Sequence, residues 1–147
     1  EGVQPENLVK ELEGVKLRIR TSFIVDNTSY LARTGRVSQG LNAVSNAFML
    51  HPVLRLKDGM MKVGNIMIGT RDSAWEKYIS GVLDKSSNAD RKLLILECSG
   101  LSISEKELIV EKVKKISHFE DIIIHNVSPT ISINCGPHTF GLIYMTK

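Results

Sequence analysis

The chain has 147 residues, of which 42% are hydrophobic and 24% charged, and its formal net charge is +3. This composition is that of an ordinary globular domain and excludes disordered and collagen-like chains. No apolar run approaches the roughly 18 residues of a membrane span, and the small positive charge does not indicate a nucleic-acid-binding face. A length of about 150 residues predicts one domain with a single core.

The two cysteines, Cys98 and Cys135, have no CxxC partner. Two are too few for a disulfide framework, and no zinc site is indicated. We therefore expect two reduced thiols in a cytoplasmic protein. The chain begins at Glu1 rather than at a methionine and shows no targeting segment, so we expect it to be a fragment of a longer protein.

Apolar periodicity divides the first half of the chain into helices and short strands. A helix is predicted over residues 5–20. Its apolar side chains share one face: Leu8, Leu12, Val15 and Ile19. A second helix is expected over residues 37–50, where apolar residues repeat at helical spacing. It should end before His51, because the residue before a proline disfavours the helical conformation. Strands are predicted over three apolar segments: 22–26, 53–56 and 60–68. The dipeptide Asp58–Gly59 between the last two indicates an antiparallel hairpin.

The second half alternates between helices and strands. Helices are predicted from Thr70 to about Ser86 and from Ser104 to about Ser117, with Ser104 and Glu107 as a capping box. Strands are predicted over three segments: 93–98, 121–127 and 140–146. The first two are rich in apolar residues and are expected to be strands buried on both faces of a sheet. The fold class is therefore α/β, a mixed sheet of about six strands with flanking helices, four of them long.

Two turns could carry chemistry. In the first, Arg33 and Arg36 flank Gly35 at a helix start, an arrangement that suits a carboxylate or a phosphate. The composition alone favours a solvated turn there. In the second, Asn134 and His138 surround a Gly-Pro turn just before the last strand, where ligands often bind in α/β sheets. An ordinary turn is the alternative for that segment.

Other side chains are ambiguous. Cys135 and His138 could form a nucleophile and its base, although no separate acid or amide is placed to orient the histidine. His125 lies in an apolar strand and is interpreted as a core or surface histidine rather than a ligand. An apolar surplus surrounds the second helix and the hairpin: Phe48, Met49, Leu50, Met60, Met61, Ile66, Met67 and Ile68. These residues could form core or the wall of a lipid tunnel.

Three segments together resemble the DegV family. SFIVDNTSYLARTGRVSQG, residues 22–40, is similar to its F-V-V-D strand, YL pair and GGRI turn. HPVLRLKDGMM, residues 51–61, resembles its KPIL…DG hairpin. INCGPHTFGLIY, residues 133–144, resembles its H-T-G-P-G-x-x-G-L ending. The resemblance covers residues 1–147 as a DegV-like C-terminal domain, and it implies that the family's N-terminal domain precedes Glu1.

The resemblance implies a carrier that binds a long-chain fatty acid between two domains and presents its carboxylate to a separate fatty acid kinase. No catalytic residue, metal or other cofactor is implied. Hydroxyl groups of the N-terminal domain, and a histidine whose position here is Asn134, would contact the carboxylate. The implied head-group residues are Asn134, Cys135, Gly136, Pro137 and Arg36. The implied acyl-chain pocket comprises Phe23, Val44, Phe48, Met49, Ile66 and Ile68.

The sequence departs from the family pattern at three positions: Thr34 and His138 replace glycines, and Asn134 replaces the histidine. Asparagine can donate a hydrogen bond but carries neither charge nor a mobile proton, so lipid binding is expected to survive better than coupling to the kinase. Two alternatives stay open: an enzyme domain that uses Cys135 or His138 on an anionic small molecule, and a structural or regulatory domain that has lost lipid binding. The expected partners are the fatty acid, the kinase, the N-terminal DegV domain and, transiently, an anionic membrane surface, but no nucleic acid.

Overall fold

The computed structural model describes residue 2 and residues 4–35, 37–40, 43–44, 48–57, 59–84 and 88–147. Its helices are α1 (Pro5–Arg18), α2 (Ser29–Arg33), α3 (Arg71–Leu83), α4 (Ile103–Ile116) and α5 (Pro129–Cys135). Its strands are β1 (Ile19–Ile24), β2 (Leu50–Lys57), β3 (Met60–Ile68), β4 (Ala89–Ser99), β5 (Asp121–Asn126) and β6 (Thr139–Thr146). No helix among the described residues is long and apolar enough to cross a membrane.

The six strands form one sheet in the order β3-β2-β1-β6-β4-β5. Strands β4 and β5 are parallel, with α4 connecting them, whereas the other neighbours are antiparallel. The expected α/β class with a mixed sheet is thereby confirmed. The predicted hairpin is also present, since Lys57 pairs with Met60 and Gly59 adopts the positive φ that the turn needs. Asp58 lies outside the described residues.

One face of the sheet is covered by α3 and α4. The side chains of Trp75 and Tyr78 are buried there against Phe140, with both ring pairs 5.4 Å apart in edge-to-face contact. Ile79 and Val82 of α3 are buried on the same face. Every second strand residue joins the same core: Ile24, Val53, Leu94, Leu96, Cys98, Phe140 and Leu142.

The opposite face of the sheet is only partly covered. Near α2, Val25, Leu31 and Leu54 form a small buried cluster against Phe23 and Val37. Beyond that cluster the face carries apolar side chains that stay more than 40% exposed: Leu56, Met61, Val63 and Ile123. Helix α5 contacts α2 and β4 at the rim of this face. The molecule therefore has one packed face and one open apolar face.

One apolar helix face stays exposed, and one prediction about burial is wrong. On the apolar face of α1, Leu8 is 47% exposed and Leu12 is 53% exposed, because no described element packs over them. Strand β5 is not buried on both sides, since it lies at the sheet edge and its Ile123 and Ile124 are about half exposed. Both segments are apolar, but only the tertiary arrangement determines whether a partner covers them.

Helix boundaries also differ from expectation. The capping box is formed by Ser102 and Glu105 instead of Ser104 and Glu107, because α4 begins two residues before the predicted start. The predicted helix over 37–50 is helical at 39–40 and 43–44, but Leu50 already belongs to β2. The rest of that segment lies largely outside the described residues.

A polar network fastens the edge of the sheet where β1 and β4 end and β6 begins. The Arg71 guanidinium donates to both carboxylate oxygens of Asp26, at 2.9 and 2.7 Å. This hydrogen bond is the main reason why the pKa of Arg71 is raised. Arg71 also lies 3.8 Å from Glu105, which accepts a 2.7 Å bond from Nδ1 of His138. The starts of α3 and α4 are thus linked to the turn before β6.

Tyr78 forms the central polar contact of the core. Its hydroxyl donates to the Ser22 carbonyl oxygen at 2.8 Å and lies 3.0 Å from the Ser22 hydroxyl. Burial raises the pKa of Tyr78, so the phenol stays protonated.

We expect Tyr78→Phe to lower the free energy of unfolding by about 1–3 kcal/mol, because it leaves the buried oxygen atoms of Ser22 without their partner. Urea unfolding followed by circular dichroism measures the change. Tyr30→Phe is the matched control, since no described residue hydrogen-bonds the Tyr30 hydroxyl, and it should change stability by less than about 0.5 kcal/mol. Equal stabilities for the wild type and Tyr78→Phe would contradict this assignment.

Glu105 makes stability depend on pH. Burial disfavours its carboxylate, but hydrogen bonds from the Ser102 backbone and hydroxyl and from His138 outweigh burial and lower the pKa of Glu105. A lowered pKa in the folded state means that the carboxylate stabilises the fold above its ordinary pKa of about 4.3. This contribution is lost as the pH falls through the lowered value.

Glu105→Gln should therefore reduce the free energy of unfolding by about 1 kcal/mol at pH 7, and the difference from the wild type should shrink toward pH 3. Unfolding curves across that pH range measure it. Glu107→Gln, at an exposed position on the same helix, serves as the control and should leave the curve unchanged. A gap that persists in acid would show that the charge of Glu105 is not the cause.

Candidate ligand-binding cavity

A cavity of about 1020 Å³ occupies the open face of the sheet. The lining on β1, β2, β3 and the middle of β6 is mostly apolar, with Thr21 and Ser22 beside these side chains: Phe23, Leu54, Leu56, Met60, Met61, Val63 and Ile143. The lining on β4, and from β5 through α5 to the start of β6, carries most of the polar side chains, together with the apolar Val127, Ile131 and Phe140: Glu97, Ser99, His125, Ser128, Thr130, Asn134 and Thr139. The cavity volume lies at the upper end of the range for small-molecule sites. Its apolar and polar sides suit a ligand with a long tail and a polar head.

Strand alternation explains why these residues meet. Phe23 pairs with Leu54 on β2 and with Gly141 on β6, so all three positions share the face opposite the packed core. Gly141 is needed at that point, because a Cβ atom there would lie 2.9 Å from the Ser22 carbonyl oxygen. The missing side chain leaves room on the cavity floor between the apolar and polar sides.

The Gly-Pro turn beside the cavity is held from several directions. Gly136 has a φ of +77°, and the Tyr30 ring packs so closely that a Cβ atom would lie 2.4 Å from it. The carbonyl oxygen of Gly136 accepts a 2.8 Å hydrogen bond from the Ser99 hydroxyl. Thr139 donates to the Cys135 carbonyl oxygen at 3.1 Å. These contacts fix the end of α5, and with it the side chains that face the cavity.

Three predicted site residues line the cavity wall: Phe23, Asn134 and Cys135. The Asn134 amide donates to the Thr130 carbonyl oxygen at 2.7 Å, so one of its hydrogen atoms is used within α5. Gly136 and Pro137 lie directly behind the wall and form the turn. Arg36 lies outside the described residues.

The rest of the predicted acyl-chain pocket lies elsewhere. Met49 lines a separate cavity of about 300 Å³, together with Asp26, His51 and Arg71. Four further residues are exposed and outside both walls: Val44, Phe48, Ile66 and Ile68. Of the apolar surplus, Met60 and Met61 belong to the large cavity, whereas Met67 packs on the core.

Sequence reasoning missed most of the apolar wall: Leu54, Leu56, Val63 and Ile143. The alternation within β2 and β6 was a usable signal, because residues two apart share a face. The register between strands, which decides whether these faces coincide, is visible only in the structure.

Sequence reasoning also missed the pair formed by Glu97 and His125. The two residues are direct neighbours across the parallel pair β4–β5, and Nδ1 of His125 lies 2.9 Å from Oε2 of Glu97. Both line the polar side of the cavity. The available signal was that each interrupts an otherwise apolar strand, one in LLILECS and one in DIIIHN.

The cysteines differ in position. Cys98 lies in the packed core, where burial raises the pKa of its thiol to about 11 and keeps it protonated. Cys135 is buried at the cavity wall. The His138 ring is bonded to Glu105, and among the described residues it makes no hydrogen bond to the Cys135 thiol. This geometry does not favour a Cys135–His138 nucleophile pair.

The sequence comparisons and the structure comparisons identify the same family. The sequence model of the DegV family, described as uncharacterised proteins, matches residues 1–147. A DegV domain-containing protein of Clostridium acetobutylicum is 30% identical over 148 residues, which cover 94% of this chain and 50% of that protein. One from Halalkalibacterium halodurans is 25% identical over 143 residues, covering 97% and 50%. The chain thus spans about half the length of the curated relatives it matches.

Solved structures share the fold. A DegV family protein from Eubacterium eligens, loaded with heptadecanoic acid, has a TM-score of 0.82 at 15% identity, over 99% of this chain and 52% of that one. A fatty-acid-binding DegV protein from Thermus thermophilus gives 0.78 at 22%, over 99% and 52%. The Streptococcus pneumoniae fatty acid kinase B3 protein, loaded with linoleic acid, gives 0.80 at 13%, over 99% and 51%. Since the family's sequence model matches the whole chain, this protein belongs to the DegV family.

Proposed function

We propose that this chain is the C-terminal domain of a fatty-acid carrier and that its cavity encloses the acyl chain. The observation that carries the proposal is the large cavity with one apolar and one polar side. The fatty acids bound by structural neighbours of the same fold support the choice of ligand. A carrier needs no catalytic residue and no cofactor, so we propose a non-enzymatic role.

The energetics fit a ligand held mainly by its tail. Each buried methylene group contributes about 0.8 kcal/mol, so a long acyl chain gains most of its affinity from the apolar side. Few polar groups are then needed, because they only have to orient the carboxylate. Phe23, Leu54, Leu56 and Met61 are apolar lining residues that would contact the tail.

For the head group we propose the segment around the Gly-Pro turn, with Asn134 and Cys135 at the cavity wall and Gly136 and Pro137 fixing their position. Arg36 completes this proposed set. For the far end of the tail we keep the remaining predicted residues as contacts that would form in the whole protein: Val44, Phe48, Met49, Ile66 and Ile68.

The open face of the sheet suggests that a second part of the protein completes the site. The relatives are about twice as long as this chain, and we propose that their other half corresponds to the N-terminal domain. Such a domain would cover the exposed side chains of Leu56, Met61 and Val63. Because half of the enclosure would be missing, the isolated 147-residue chain should bind fatty acid weakly or not at all.

We further propose that the carrier works in the cytoplasm and presents its carboxylate to a separate fatty acid kinase. The fatty acid kinase B3 protein among the structural neighbours supports this partner. The net charge of +3 would favour transient contact with an anionic membrane surface. Asn134 cannot exchange a proton at neutral pH, so the kinase step is the part of the proposal that depends most on other residues.

We expect the protein expressed in bacteria from its complete reading frame to carry co-purified fatty acid. Denaturing mass spectrometry of an organic extract should show long-chain acids, because a tail of that length gains enough burial energy to survive purification. An extract without lipid would contradict the carrier function and favour the structural or regulatory alternative.

Matched variants on α5 sharpen this experiment. Ile131 lines the cavity, whereas Ile133 on the same helix does not. Ile131→Asp places a charge against the acyl chain and should remove most of the bound acid, while Ile133→Asp should retain it. Equal lipid content in the two variants would place the acyl chain elsewhere.

The kinase step has its own test. Lipid-loaded protein mixed with the fatty acid kinase of the same organism and ATP should release ADP, and lipid-stripped protein should not. If loaded protein binds lipid yet releases no ADP, the protein is a carrier without that partner.

A further inference from the structure

We infer that His125, held in place by Glu97, provides the positive charge that binds the carboxylate of the fatty acid. This inference rests on the proposed function, since it specifies how the same cavity recognises the head group. It differs from the head-group segment at the Gly-Pro turn, because His125 lies on β5 and reaches the polar side from the sheet.

The charge of the ligand supports the choice of His125. A fatty acid is an anion at neutral pH, and burying its carboxylate needs a charged or strongly donating partner. The titratable side chains among the described lining residues are Glu97 of β4, His125 of β5 and Cys135 of α5. Of these three, only the imidazole can carry a positive charge.

The geometry leaves one imidazole nitrogen for the ligand. Glu97 is an acceptor, so Nδ1 of His125 donates the 2.9 Å bond. No described residue hydrogen-bonds Nε2, and the His125 side chain is 62% exposed, so a ligand can approach it. When both nitrogen atoms are protonated, the ring binds Glu97 on one side and the ligand carboxylate on the other.

The surroundings agree with an anion at this place. Ser128, Thr130 and Asn134 bring hydroxyl and amide groups to the same side of the cavity. A further cation near β5 is Lys106, which donates to Asn126 at 2.9 Å. Asn126 follows His125 directly, so its side chain points to the opposite face of the strand. Among the described lining residues, His125 is therefore the side chain that can carry a positive charge.

Glu97 acts as a positioning residue. Its side chain is only 26% exposed, and its bond to Nδ1 fixes the ring orientation on a strand rather than on a loop.

The experiment compares palmitate with hexadecanol, which has the same tail without the charge, by displacement of a fluorescent fatty acid from the protein expressed from its complete reading frame. The wild type should prefer palmitate by about tenfold, the value of one charge-assisted hydrogen bond. His125→Gln should abolish this preference while hexadecanol affinity stays unchanged. His118→Gln, at an exposed position outside the cavity, should behave as the wild type.

Two further variants separate charge from structure. His125→Arg should keep the preference for palmitate, because a guanidinium group supplies a cation at the same position. Glu97→Gln should weaken the preference without changing hexadecanol affinity.

Each outcome decides between the two claims. If His125→Gln still prefers palmitate as strongly as the wild type does, His125 does not bind the carboxylate, although the carrier function stands. If the wild type binds neither palmitate nor hexadecanol, the proposed function itself fails, and this inference fails with it.

Discussion

The architecture depends on a sheet with one face covered by helices and the other face left open. Side chains alternate along each strand, so each strand presents one set of residues to α3 and α4 and the other set to the open face. The packed face contains Trp75, Tyr78 and Phe140 and supplies most of the hydrophobic stabilisation. That stability allows the second face to stay apolar and uncovered in the described residues, and the large cavity lies on this face.

Polar groups are placed where they do not disturb this division. The network of Asp26, Arg71, Glu105 and His138 lies at the edge of the sheet and fastens helix starts to the turn before β6. Its members pair with one another, so its charges are largely compensated within the protein. The Glu97–His125 pair differs in that it faces the cavity and leaves a ring nitrogen for a ligand. One set of charges thus positions the site, whereas the other belongs to it.

Much of the fold could be predicted from the sequence, but less of the site. The hairpin at Gly59 and the buried face of α3 follow from local signals, namely a turn dipeptide and helical periodicity. The exposure of Leu8 and Ile123 could not be predicted, because an apolar segment does not reveal whether a partner covers it. Of the site residues that the family resemblance implied, Phe23, Asn134 and Cys135 line the cavity, and their role in binding stays a prediction. The Glu97–His125 pair required the register of two strands far apart in sequence, which no local pattern contains.

The position of the histidine determines what the cavity can distinguish. The tail cannot separate an acid from an alcohol of equal length, because both bury the same methylene groups. That selectivity must come from the few polar side chains. A cation among them binds a carboxylate more strongly than a neutral amide does. Asn134 on α5 is neutral and already donates to Thr130, whereas His125 on β5 reaches the same side of the cavity. A histidine on the sheet keeps a charge for binding while leaving the α5 side neutral. Under the proposed function, affinity for the acid and its presentation to a second protein would therefore depend on different residues.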